Sequence, residues 1–122
     1  MGAARGLDVI AHVGHSAIGH AAAPDPVLVD PVCQGSVLTV PGHAANPMGR
    51  LLFLNPGGPG RSNLTLRASD DGGNTWSESR VVVPGPAAYS DLCLLPGGRL
   101  GLFYECGESR PYERLRWQIL AL

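Results

Sequence analysis

Apolar residues fall in short runs that Gly and Pro interrupt before any run reaches helical length. Residues 36–40, 50–55 and 63–68 are three such runs, and residues 78–83 are a fourth. Each is rich in Val, Leu or Thr or bounded by turn-forming residues, which is how a β-strand reads in sequence. Residues 89–95, 99–104 and 114–120 repeat the pattern further on. Apolar and polar positions alternate only loosely, as expected where sheets pack on both faces. No segment keeps a 3.6-residue period over a useful length. The pattern predicts an all-β chain, with one four-stranded antiparallel unit followed by the start of a second.

Composition agrees. Seventeen Gly and eleven Pro, about a quarter of the 122 residues, suit short strands joined by tight turns. With 44% hydrophobic residues the chain can bury a core. A net charge of −1 leaves no basic footprint for nucleic acid, and no apolar stretch approaches transmembrane length. All nine basic residues are Arg, which reads as codon bias. The four His lack metal-ligand spacing and read as surface or turn residues. Cys33, Cys93 and Cys106 make an odd count. Free buried thiols in strand-like runs are the expectation for Cys33 and Cys93, with a pairing of two of the three left open. Arg5 and Ala21-Ala22-Ala23 outline a secretion signal, but Asp8, His12, His15 and His20 interrupt its apolar run.

The most specific motif is Ser69-Asp70-Asp71-Gly72-Gly73-Asn74-Thr75-Trp76, which satisfies the Asp-box pattern S-x-D-x-G-x-T-W. It is expected to form a tight hairpin between the third and fourth strands. Asp71 is placed to accept hydrogen bonds from turn amides, and Gly73 supplies a backbone angle that residues with a Cβ avoid. Ser69 and Thr75 can tie the hairpin arms together, while Trp76 lays a large ring on the sheet. The motif builds a turn and carries no chemistry.

Its surroundings are more informative. Arg61-Ser62-Asn63-Leu64-Thr65 precedes the box; Pro84-Gly85-Pro86-Ala87-Ala88-Tyr89-Ser90-Asp91 and Leu102-Phe103-Tyr104-Glu105 follow it. In that order, and with Leu28-Val29-Asp30-Pro31 upstream, residues 25–120 resemble the C-terminal part of the sialidases (neuraminidases). These are Asp-box (BNR-repeat) glycoside hydrolases that remove terminal sialic acid. The resemblance implies an all-β, partial six-bladed β-propeller. Residues 1–24 would be a degenerate blade remnant, 25–84 a blade with the Asp box, and 85–122 the final blade. Two or three blades leave apolar faces that a closed ring would cover, so a C-terminal fragment of a truncated or split gene is expected.

The resemblance also assigns roles. Tyr89 matches the nucleophile that attacks the anomeric carbon. A phenol suits that task because the carbon already bears a carboxylate, which would repel an Asp or Glu. A free phenol ionises near ~10 and needs a base to take its proton. Arg61 matches one of three arginines that grip the substrate carboxylate through paired, charge-assisted hydrogen bonds. Glu105 matches the glutamate that supports another of those arginines. The general acid, the base and two arginines have no counterpart here. Arg67 reads as a strand-end surface residue, Asp30 and Asp91 as structural, and Asn63-Leu64-Thr65 as a coincidental glycosylation triplet.

No metal or cofactor is implied. Sialylated glycans are the implied substrate, and the remaining blades on a separate chain the implied protein partner. A full-length relative would be secreted or extracellular. Two functional classes follow: an exo-α-sialidase fragment not expected to turn over alone, and a non-catalytic propeller piece serving as a glycan-binding or structural module.

Overall fold

The computed structural model describes residues 25–122, so the expected blade remnant over 1–24 lies outside the described residues. The described residues are all-β, with no helix. Strands β1 (Ser36–Val40), β2 (Arg50–Pro56), β3 (Ser62–Ser69), β4 (Glu78–Leu95), β5 (Arg99–Cys106) and β6 (Arg114–Ala121) follow one another as an antiparallel meander. The sheet curls, so that β4 also packs against β1 and β2.

Runs expected as separate strands at 78–83 and 89–95 are one 18-residue strand, β4. It changes partner midway, pairing with β3 as far as Pro86 and with β5 from Ala87 onward. The change falls at Pro84-Gly85-Pro86, where two residues lack an N–H to give to a ladder. Locally these residues read as a break; in the fold they are a crease.

The core fills the space between the two halves of the curl. Leu52, Leu54, Leu64 and Ala68 come from the first half; Ala87, Leu92, Leu100, Leu102, Tyr104 and Cys106 come from the second. Burying each large apolar side chain is worth roughly 1.5–3 kcal/mol. Polar ties reinforce the join. The Ser90 hydroxyl donates to the Leu54 carbonyl at 3.3 Å, and the Leu92 amide donates to Ser36 Oγ at 3.1 Å. The Ser36 hydroxyl in turn donates to Asp91 at 3.1 Å, a structural use of that carboxylate.

Arg67 departs from expectation: it is buried at 7% exposure and is not a surface residue. The β2–β3 register places it with Asn55 and Phe53 on the outer face of the first half. That face is covered from within the chain. Asn55 donates to the Val29 carbonyl at 2.6 Å, and the Trp76 ring lies 6.1 Å from that of Phe53. Arg67 Nη1 donates to Asn55 Oδ1 at 3.0 Å, which gives the buried guanidinium a partner.

Candidate active site

The site is built on the segment before β1, the loop before β3, the crease of β4 and the loop between β5 and β6. Asp25 caps the first segment, accepting the Val27 and Leu28 amides at 2.8 and 3.2 Å. Buried Leu28 anchors it. Asp30 then accepts the Val32 amide at 2.8 Å, which fits the structural role expected of it. Val32 itself sits at φ 55°, left-handed backbone that a β-branched residue avoids at a cost of about 1–3 kcal/mol. That conformation turns its carbonyl toward Arg61, whose Nη2 donates to it at 2.7 Å.

Asn63 fixes the loop that carries Arg61. Its side chain donates to the Gly58 carbonyl at 2.8 Å and accepts the Gly85 amide at 3.1 Å. The formal glycosylation asparagine is thus engaged in joining this loop to the crease.

Arg61 and Tyr89, distant in sequence, meet. The guanidinium carbon lies 5.5 Å from the centroid of the Tyr89 ring, and Tyr89 is 51% exposed. A second aromatic flanks the same group, because Arg61 lies 5.7 Å from the Tyr112 ring centroid. Arg61 Nη1 also donates to the Tyr112 hydroxyl at 2.6 Å. Desolvation is the largest single influence on Arg61 and opposes its charge, but the Tyr112 hydroxyl bond and the neighbouring Cys33 and Tyr89 together outweigh it and raise its pKa. The guanidinium is a permanent cation between two π-faces.

Sequence reasoning missed Tyr112. Its loop is organised by Glu113, whose carboxylate accepts the amides of Glu108, Ser109 and Arg110 at 2.8–3.1 Å. The Glu108 amide contributes most to holding that carboxyl below its usual range. Pro111-Tyr112-Glu113 could have been read as a turn with its own carboxylate cap. Glu105, half-buried, accepts the Tyr89 backbone amide at 3.2 Å and forms no ion pair among the described residues.

Cys33 lies beside Arg61 in a segment outside the strands, not in a strand as expected. Burial pushes its thiol up against the pull of Arg61, so it stays protonated at neutral pH. All three cysteines are free; Cys106 is buried, and Cys33 and Cys93 are half-buried.

The β3–β4 connection closes on Asp71. Its carboxylate accepts the Ser69 hydroxyl and the Thr75 amide, each at 2.8 Å, and the Thr75 hydroxyl. Led by the Thr75 hydroxyl, these bonds hold Asp71 down at about 2. Gly73 adopts φ 91° and donates to Ser69 Oγ at 2.9 Å. Trp76 packs on Phe53 and donates its indole N–H to Asp25 at 3.2 Å, linking the hairpin to the first segment.

A curled antiparallel sheet with such a hairpin, and with an arginine and a tyrosine converging at one end, defines an all-β protein of the propeller type. No family model matches the chain. It is 39% identical over 108 residues to the sialidase of Micromonospora viridifaciens, a match covering 81% of this chain and 17% of that protein. The solved Hadza microbial sialidase Hz136 is similar at a TM-score of 0.60 and 32% identity, covering 75% of this chain and 18% of its own. The chain is a sialidase homologue, in keeping with the C-terminal portion of a sialidase. It spans less than a fifth of the length of either relative.

Proposed function

We propose that this chain is the C-terminal part of a retaining exo-α-sialidase, with residues 25–84 as its Asp-box blade and 85–122 as its final blade. The observation that carries this reading is the 5.5 Å approach of the Arg61 guanidinium to the Tyr89 ring. Arg61 binds the sugar carboxylate, while the Val32 carbonyl and the Tyr112 hydroxyl orient its fork. The Tyr89 oxygen then bonds to the anomeric carbon as the bond to the aglycone oxygen breaks. The phenolic proton passes to a base, and the aglycone takes a proton from an acid. Water attacks the same carbon in the second step, frees the sugar and returns the tyrosine to its neutral form. Glu105 anchors the Tyr89 backbone and offers its free oxygen to a cation.

The acid, the base and further carboxylate-binding groups must come from outside residues 25–122. The chain alone is therefore expected to bind a sialic acid weakly and not to cleave its glycosides. The small share of either relative that the chain spans favours a second reading for the isolated chain, a non-catalytic glycan-binding or structural module. One assay separates the two: a fluorogenic sialoside is offered to the chain alone and to the chain co-expressed with the remainder of a sialidase. Turnover confined to the co-expressed pair, and lost in Tyr89→Phe, supports the hydrolase. Turnover in neither supports the module.

A further inference from the structure

We propose that Gln34 is a positioning residue for Tyr89: its side-chain amide clamps the β-bulge that aims the tyrosine at Arg61. The part Tyr89 plays in catalysis rests on the sialidase reading; the clamp stands on the geometry alone. Along β4 and β5, Ala87 pairs with Cys106 and Ser90 with Tyr104. Two residues of β4, Ala88 and Tyr89, therefore stand against Glu105 alone on β5, which is the two-against-one count of a β-bulge. A bulge interrupts the ladder and re-aims a side chain, and here it leaves Ala88 buried and Tyr89 51% exposed.

Side chains take over the interrupted hydrogen bonding. Glu105, on β5, accepts the Tyr89 amide at 3.2 Å. Gln34, in the segment before β1, engages both backbone groups of the next residue. Its Oε1 accepts the Ser90 amide at 3.1 Å, and its Nε2 donates to the Ser90 carbonyl at 3.0 Å. Exchanging both bonds with one residue is how a neighbouring antiparallel strand pairs, and a single side-chain amide does so here. Gln34 Nε2 also donates to the Gly35 carbonyl at 2.9 Å. Turning the amide over would set its oxygen against two carbonyls, so one orientation satisfies every bond. Gln34 is thus an exposed residue whose polar atoms are all committed to backbone.

Gly35 brings the clamp within reach. A Cβ there would sit 2.9 Å from the Phe53 ring and 3.2 Å from Asn55 Cβ, so a residue without one lets the segment lie this close to β2. Ser36 joins the same two elements further from the tyrosine, by accepting the Leu92 amide at 3.1 Å. Arg61 is held separately, by the Val32 carbonyl and the Tyr112 hydroxyl. Loss of the Gln34 amide therefore frees the attacking tyrosine and leaves the carboxylate grip in place, a change that falls on kcat and spares KM.

Two experiments test the clamp. In the chain alone, isotope-labelled tyrosine gives amide signals for Tyr89, Tyr104 and Tyr112, and the Tyr89 signal is the one missing from Tyr89→Phe. Gln34→Met keeps the side-chain length and removes its polar groups. It should speed hydrogen exchange at the Tyr89 amide about tenfold relative to Tyr104, whereas Ser36→Ala should leave that ratio as in the parent. Gln34→Glu keeps the shape but sets a carboxylate oxygen against the Ser90 and Gly35 carbonyls; it should act likewise, and it replaces Gln34→Met if that chain fails to fold. In the chain assembled with the remainder of a sialidase, Gln34→Met should lower kcat about tenfold with KM within about twofold, and Ser36→Ala should keep the parent's kcat. Unchanged exchange at Tyr89, or equal acceleration at Tyr89 and Tyr104, overturns the clamp. Faster exchange at Tyr89 with an unchanged kcat overturns its part in catalysis. An assembled parent chain without turnover refutes the sialidase reading, and the exchange ratio then decides the clamp by itself.

Discussion

Replacing Asn55 with Ala should destabilise the chain, and replacing Arg67 as well should restore part of the loss. Asn55 is 1% exposed and uses both ends of its amide, giving a hydrogen bond to the Val29 carbonyl and taking one from Arg67 Nη1. Asn55→Ala leaves a part-buried carbonyl and a buried charged donor unpartnered at once. A stranded neutral group costs about 1–3 kcal/mol and a hydrogen bond to a charged group is worth about 1.5–3, so the single change should cost about 3–5 kcal/mol. Arg67→Met in that background removes the stranded charge in exchange for an apolar chain of similar reach. It should return about 1.5–3 kcal/mol, which makes the double variant more stable than Asn55→Ala alone. Urea denaturation followed by circular dichroism reads each stability from its midpoint and slope. An Asn55→Ala chain unfolded without urea satisfies the first expectation, and recovery of folded signal in the double variant still reads the sign of the second. A double variant as unstable as the sum of its singles would refute the coupling, as would an Asn55→Ala cost below about 1 kcal/mol.

Asp71, held at about 2 against an ordinary value near ~3.9, stabilises the fold above that range and loses its contribution as pH falls from about 4 to 2. Asp71→Asn should be less stable at pH 6 and should show a flatter urea midpoint across that window; an unchanged acid profile would contradict this. In a reconstituted enzyme, Tyr112→Phe removes the acceptor of Arg61 Nη1 and should raise KM about tenfold with a smaller effect on kcat, a split that equal losses in both would refute. Gly101→Ala should lift Trp117 off the sheet, giving a red shift in intrinsic fluorescence; an unshifted spectrum would show that the ring does not lie across residue 101.

Local features were legible in the sequence and long-range ones were not. The hairpin could be read because Ser69, Asp71, Gly73 and Thr75 bond to one another within a few residues. Seven strand-like runs were legible from the Gly and Pro that bound them, two of which are the halves of β4. The continuity of β4 was not, because Pro84-Gly85-Pro86 reads as a break until two different partner strands are known. Arg67 was misjudged because a charge in a strand looks solvent-facing, and only the segment before β1 reveals that its face is roofed. The pairing of Arg61 with Tyr89 came from resemblance alone. No spacing rule brings positions 61 and 89 together. Tyr112 joined them through a loop that Glu113 organises; Pro111-Tyr112-Glu113 signals a turn but not that its tyrosine meets Arg61.

Covalent capture of the nucleophile decides whether Tyr89 attacks the sugar. The chain, assembled with the rest of a sialidase, would be treated with a fluorinated sialosyl fluoride, whose glycosyl–enzyme bond hydrolyses slowly, and its peptides mapped by mass spectrometry. One sugar adduct is expected on the tyrosine oxygen at position 89, absent from Tyr89→Phe and reduced in an Arg61→Met variant. An adduct on another residue, or undiminished labelling after Tyr89 is replaced, would contradict it.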